Sequence, residues 1–271
     1  MPMGRLDGKV ALVTGAARGQ GRAHAVRLAQ DGADIIAGDV CAAVDTVKYA
    51  GSTPEDLAET AALVEKAGRR CVADRADVRD LAQMEALVAK GVGELGRLDI
   101  VVANAGILSS GLTWELSPAQ WREVIDTNLT GVWHTVRATV PTMIAQGQGG
   151  AIIVTSSTAG MKGQPFTAHY TAAKHGVVGL AKCLANELGE HRIRVNSIHP
   201  TGVRTEMVRE PDLFPLIEQH ATTLGPLFMN TMPVDFIEPE DVAGLVAFLA
   251  SDEGQYMTGC QYPIDLGAIN R

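Results

Sequence analysis

The chain has 271 residues, of which 46% are hydrophobic and 20% charged, an ordinary globular composition with enough length for a core that needs no disulfide or metal. A formal net charge of −8 without a visible Lys/Arg cluster argues against a nucleic-acid partner. No segment nears the roughly 18 apolar residues that span a bilayer, and the start MPMGRLDGKVALVTG has no apolar run with a cleavage site, so a cytoplasmic protein with no membrane partner is expected.

Short apolar runs alternate with longer helical patterns. KVALVT (9–14) reads as a buried strand and RAHAVRLAQDG (22–32) as a helix closed by Gly32. ADIIAGD (33–39) is a second strand. The next helix, 53–68, opens with Thr53 as N-cap, Pro54 at the first helical position and Asp56 three residues after the cap, and ends at Gly68. Strands CVADRAD (71–77), LDIVVANAG (98–106), GAIIVTSS (150–157) and RIRVNSIHP (192–200) alternate with helical patterns over 80–95, 117–146 and 166–190. This β-α-β order, with strands rich in Val and Ile on both faces, predicts an α/β fold. A doubly wound, largely parallel sheet of about seven strands is covered by helices on both faces. The alternation runs almost end to end, so a single domain over 1–271 is expected.

Two segments break the rhythm. Residues 40–53 separate the second strand from its helix by more than a turn, and loops that long tend to be functional or disordered. The stretch 204–236, with Pro211, Pro215, Pro226 and Pro233 among Met and Phe residues, reads as short helical pieces forming a flap. Four scattered cysteines (Cys41, Cys71, Cys183, Cys260) form no C-x-x-C pair, so free thiols and no metal site are expected.

TGAARGQG (14–21) lies between the first strand and the first helix. There Gly15 permits a sharp turn. Gly19 and Gly21 let backbone approach a pyrophosphate, and the helix start aims N–H groups at the anion. Asp39 ends the second strand, where a carboxylate accepts from ribose hydroxyls and repels a 2′-phosphate, favouring NAD over NADP. Arg18 points the other way, since a cation there could hold a 2′-phosphate. Tyr170 and Lys174 sit four apart in a helical pattern and so share a face. An ammonium beside a phenol lowers its pKa, which would let Tyr170 exchange a proton with an alcohol or ketone oxygen. Ser157, at a strand end, could bond the same oxygen, and Asn128 could hold a water that links Lys174 to solvent. His134, His169 and His199 read as packing or solvent-facing residues rather than catalytic ones.

Taken together and in this order, these motifs resemble the short-chain dehydrogenase/reductase family. The resemblance covers nearly the whole chain and includes TGAARGQG, Asp77-Val78, ANAG (103–106), Asn128, Ser157 thirteen residues before Tyr170, and PTGVRT (200–205). Ala103 and the extra residue in Pro200-Thr201-Gly202 depart from the common pattern. The resemblance implies catalysis by Asn128, Ser157, Tyr170 and Lys174. It implies NAD contacts from Gly15, Arg18, Gly19, Gln20, Gly21, Asp39, Val40, Asp77, Val78, Asn104, Ala105, Gly106, Tyr170, Lys174, Val203 and Thr205. It also implies a homotetramer. Residues 40–53 resemble the carveol-dehydrogenase-like subgroup, in which such a segment covers a non-exchangeable NAD that an external carrier, the peptide-derived mycofactocin, reoxidises. Leu108, Thr158, Met161, Phe166, Met207, Phe214, Phe228, Met229 and Met232 are candidate substrate-pocket linings. They imply an apolar, alicyclic secondary alcohol or ketone. A non-catalytic NAD sensor, an NADP-preferring ketone reductase and a sugar-nucleotide enzyme of the extended branch are the rival readings.

Overall fold

The computed structural model describes residues 4–271. Seven strands form one all-parallel sheet: β1 (Val10–Thr14), β2 (Asp34–Asp39), β3 (Cys71–Arg75), β4 (Ile100–Ala103), β5 (Gly150–Thr155), β6 (Ile193–Pro200) and β7 (Gln261–Ile264), in the order β3-β2-β1-β4-β5-β6-β7. The order reverses between β1 and β4, so their carboxyl ends open a crevice where doubly wound sheets take ligands. Thr14 fixes that crevice. Its Oγ1 accepts from the N–H groups of Asn104 and Ala105 at 3.0 and 3.1 Å, and its carbonyl accepts from Asn104 Nδ2 at 3.1 Å.

Side-chain alternation divides the central strands between two cores. Ala11, Val13, Ile35, Ile100, Val102 and Ile153 face α1 (Gly19–Gln30) and α8 (Pro239–Ala250), which supply Leu28, Val242, Val246 and Leu249. Val10, Leu12, Ile36, Val101, Ile152 and Val154 face α3 (Leu81–Leu95), α5 (Gly131–Gln146) and α6 (Ala168–Leu188), which supply Met84, Leu87, Val136, Val177 and Leu184. Each fully buried aliphatic side chain contributes about 1.5–3 kcal/mol. α2 (Pro54–Lys66) begins with the expected capping box, the Asp56 N–H donating to Thr53 Oγ1 and the Thr53 N–H to the Asp56 carboxylate.

Three sequence expectations change. The helical pattern over 117–146 is α4 (Pro118–Ile125), a π turn (Asp126–Thr130) and α5, rather than one helix. The helix expected from 166 begins at Ala168, because Phe166 adopts a left-handed φ of 65°. The chain beyond the flap holds α8 and β7, neither placed from sequence. In the flap itself, with α7 at Leu213–Gln219, Glu210 is the one buried residue from 204 to 236. No helix among the described residues is long and apolar enough to cross a membrane.

Candidate active site

The glycine turn is shaped by backbone contact. Gly15 and Gly19 have φ of 66° and 54°, a region that side chains disfavour. A Cβ on Gly21 would lie 1.9 Å from the Gly15 carbonyl oxygen, and one on Gly15 would lie 2.9 Å from Ala105 Cα. α1 starts at Gly19 with no side chain capping its first N–H groups, which leaves them open to an anion. The Asp39 carboxylate is buried; it accepts from Ala17 N (3.0 Å), Cys41 N (3.0 Å) and Ser52 Oγ (2.5 Å). A carboxylate offers about four acceptor sites, so capacity for a further donor remains.

Gly15, Arg18, Gly19, Gln20, Gly21, Asp39, Val40, Asp77, Val78, Asn104, Ala105, Gly106 and Thr205 line one cavity of about 670 Å³. Val203 does not: it is 5% exposed and bridges to Ile237. Burial pushes the Asp77 carboxyl up, but Arg79, bonded to it at 2.6 Å, holds it below the usual carboxylate range. Arg18 also holds the inserted segment. Its guanidinium reaches across the cavity mouth to the carbonyls of Ala50 and Gly51 (3.1 Å to the latter). It therefore clasps the inserted segment, which also brings Tyr49 to the cavity wall and places the Tyr49 oxygen 3.0 Å from the Leu108 N–H.

α6 lies behind the Gly106 wall of the cavity. Lys174 Nζ lies over the Tyr170 ring, 5.5 Å from its centroid, and donates to the Thr155 carbonyl at 2.7 Å. Lys174 is 2% exposed, and burial lowers its pKa to about 8. A Cβ on Gly106 would sit 3.3 Å from Asn128 Oδ1 and 3.7 Å from Lys174 Nζ, so both groups abut the cavity floor without lining it. Burial raises the Tyr170 pKa, and a hydrogen bond with Ser157 opposes that rise. The expected acidification of the phenol by the ammonium is not the outcome here. Burial sets the direction of the shift, and the ammonium is turned to the Thr155 carbonyl.

The Asn128 Oδ1 accepts from the Ile107 N–H and its Nδ2 donates to the Ile107 carbonyl, both at 2.8 Å, so its amide holds the Ile107 peptide. His199 Nδ1 meets the Ser157 carbonyl at 2.9 Å and its Nε2 meets Ser197 Oγ at 2.9 Å, which braces the strand end carrying Ser157. His134 Nδ1 meets the Val78 carbonyl at 2.8 Å. Of the expected pocket residues, Leu108, Thr158 and Phe166 are buried, and Phe166 stacks on Phe228 with centroids 6.2 Å apart. Met161 is half-buried, and Met207 lines the cofactor-sized cavity. Phe214, Met229 and Met232 are more than half exposed. The sequence reading missed Tyr49, Ser52 and Thr155. The first two lie in the segment singled out for its length, and Thr155 acts through its backbone alone.

Residues 9–213 match the model of the short chain dehydrogenase family. The chain is 50% identical to an uncharacterized NAD-dependent oxidoreductase of Mycobacterium tuberculosis, over 98% of each chain. It is 45% identical to the (−)-trans-carveol dehydrogenase of Rhodococcus erythropolis, over 98% of this chain and 99% of the relative. The crystal structure of carveol dehydrogenase from Mycobacterium avium in complex with NAD superposes with a TM-score of 0.94 at 49% identity, covering 99% of this chain and 100% of that one. The chain belongs to the short-chain dehydrogenase family.

Proposed function

We propose that this protein, acting as one Rossmann-type unit, transfers hydride between NAD and a secondary alcohol or ketone, with Tyr170, Lys174 and Ser157 as the catalytic set. The observation that carries the reading is the convergence of a phenol, a hydroxyl and a buried ammonium beside a glycine-walled cavity. The chain fits NAD on its own geometry: Gly21 admits no Cβ beside the Gly15 carbonyl, and Asp39 lines the same cavity with acceptor capacity left. With Arg18 engaged by Ala50 and Gly51, a 2′-phosphate would meet the Asp39 carboxylate, which favours NAD over NADP.

NAD, when bound, supplies the hydride acceptor or donor. The protein supplies position and proton transfer. A neutral Tyr170 donates its proton to a ketone oxygen, and in the reverse direction its phenolate takes the proton of an alcohol. Ser157 hydrogen-bonds the same oxygen. Lys174, held by Thr155 and bordering Gly106, would hold the cofactor's ribose hydroxyls. Asn128 acts by fixing the Ile107 peptide. The similarity to carveol dehydrogenases supports an alicyclic, apolar substrate.

The inserted segment supports a retained cofactor that an external carrier of the mycofactocin type reoxidises. Arg18, Asp39 and Leu108 all fasten that segment across the cavity. Exposed Trp121 and Trp133 on α4 and α5 offer surface for a homotetramer, and the four free cysteines suit the reducing cytoplasm. The test is Tyr170→Phe, assayed with cyclic secondary alcohols and an artificial dye acceptor, beside mass spectrometry of the denatured supernatant. Turnover is lost and NAD still co-purifies. Undiminished turnover would overturn the assignment of Tyr170, and a cofactor recovered as NADP would overturn that of NAD.

A further inference from the structure

Four consecutive residues, Ile107 to Ser110, are each tied to a different part of the molecule. The Asn128 amide of the π turn brackets the Ile107 peptide with two 2.8 Å bonds. The Leu108 N–H donates to the Tyr49 oxygen of the insertion at 3.0 Å. Ser109 Oγ lies 2.8 Å from Nε2 of His169, the residue preceding Tyr170 on α6. Ser110 donates to the Glu210 carboxylate of the flap at 2.5 Å. That carboxylate also accepts the N–H groups of Asp212 and Leu213, at 3.1 and 2.8 Å. Leu108, Ser109, Ser110, His169 and Glu210 are all buried. A shift in this segment therefore disturbs bonds that water cannot readily replace.

Tyr49 is the insertion's contribution to this junction. It lines the cofactor-sized cavity together with Ile107. Burial pushes its phenol up to about 12, and Tyr170 lies near enough to add to that rise. Tyr49 is thus a neutral phenol at working pH, with its oxygen anchored on the loop that follows the Asn104-Ala105-Gly106 wall. The neighbouring link between insertion and flap, Lys48 to Asp212 at 2.5 Å, is largely exposed, and exposed pairs contribute little. The Tyr49–Leu108 bond, part-buried, is the stronger fastening.

We propose that Tyr49 is a positioning residue for the reaction: through the Leu108 amide it holds the 107–110 segment, so the insertion that closes over the cofactor also sets the substrate side of the cleft. This rests on the reading of the cleft as a site for NAD and a secondary alcohol. Cofactor release and substrate affinity are then linked properties, although the substrate-side anchor Ser110 borders no part of the cofactor cavity.

The experiment compares the full-length wild type, Tyr49→Phe and Ser110→Ala. Tyr49→Phe keeps the ring and removes the oxygen. NADH release is followed by the decay of its bound fluorescence, and kcat and KM are measured with cyclohexanol. Loss of one hydrogen bond corresponds to about a fivefold change. Tyr49→Phe should speed NADH release by about that factor and raise KM more than it lowers kcat, with little change in Tm. Ser110→Ala should also speed NADH release, although it is remote from the cofactor. Unchanged release in Tyr49→Phe, faster release without a rise in KM, or a Ser110→Ala effect confined to KM would each overturn the proposal. If the wild type does not oxidise cyclohexanol, the alcohol reading is what fails. The release rates of the two variants still decide the linkage.

Discussion

Two regions border the same crevice and are built in opposite ways. The turn from Gly15 to Gly21 is backbone packed on backbone, with no room for a single added carbon at Gly21. The flap from 204 to 236 buries one residue, Glu210, and leaves Phe214, Met229 and Met232 more than half exposed. The difference teaches where the fold tolerates change. The cofactor end cannot vary without losing its shape, whereas the flap, the proposed substrate side, is held by a few anchors, such as Glu210 and the stack of Phe166 on Phe228. A family member can therefore keep one chemistry and vary the alcohol it accepts.

The largest effect that would break this contrast is at the turn. Gly21→Ala places a carbon 1.9 Å from the Gly15 oxygen and 2.6 Å from its carbonyl carbon, so backbone must move. We expect the variant to purify without nicotinamide cofactor and to lose about 3 kcal/mol in urea unfolding. Retained cofactor with unchanged stability would show that the turn is as tolerant as the flap.

Next in size is Ser157→Ala, with kcat expected to fall about 100-fold or more, as for loss of a donor to a reacting oxygen. The pH profile carries a further sign. Burial raises the Tyr170 pKa and the Ser157 hydrogen bond opposes that rise, so removing Ser157 moves the phenol further up. Alcohol oxidation needs the phenolate, and its ascending limb should shift to higher pH. Ketone reduction needs the phenol and should persist to higher pH. A limb displaced toward acid would contradict the arrangement.

A smaller effect probes the rigid side from behind. His24 on α1 is fully buried, and burial lowers its pKa to about 3 despite an opposing contribution from Asn104. The unfolded chain binds a proton there below about pH 6.5 and the folded chain does not. Stability therefore falls as pH drops from 6.5 toward 3, with His24 accounting for about 2 kcal/mol by pH 5. His24→Leu should flatten that part of the curve in denaturant titrations at pH 7 and pH 5. An equally steep loss in the variant would place the acid sensitivity elsewhere.

The same contrast explains what the sequence made legible. Six of the strands and the glycine turn follow from local apolar runs and punctuation. Tyr170 and Lys174 follow from helical spacing, and the insertion from its length. β7 did not emerge, because QYPI is too short and polar to read as a strand and is recruited by pairing with β6. α8 carries a capping box at Glu238 and Asp241 with Pro239 between them, a signal present but obscured by the proline-rich flap before it. The role of Asn128 and the clasp of Arg18 on Ala50 and Gly51 were invisible for a different reason. Their partners lie 21 to 33 residues away, and no periodicity encodes such pairs. The direction of the Tyr170 shift was missed because it depends on burial, which a spacing of four does not report.

The smallest effect repeats the glycine experiment in the flap. Gly225 begins a short 3-10 turn to Phe228, and a Cβ there would meet only Ala221 Cβ, at an ordinary 3.8 Å. Ala at that position loses less chain entropy on folding than Gly, so Gly225→Ala should be neutral or stabilising by about 0.5 kcal/mol. Cofactor content should not change, because Gly225 borders no part of the cavity, and KM for a cyclic alcohol should move less than twofold, roughly the scale of a contact-neutral surface change. A loss above about 1 kcal/mol would mean that the flap packs as tightly as the turn. The two sides of the crevice would then share one mechanical character, and the latitude assigned to the substrate side would have to come from side chains alone.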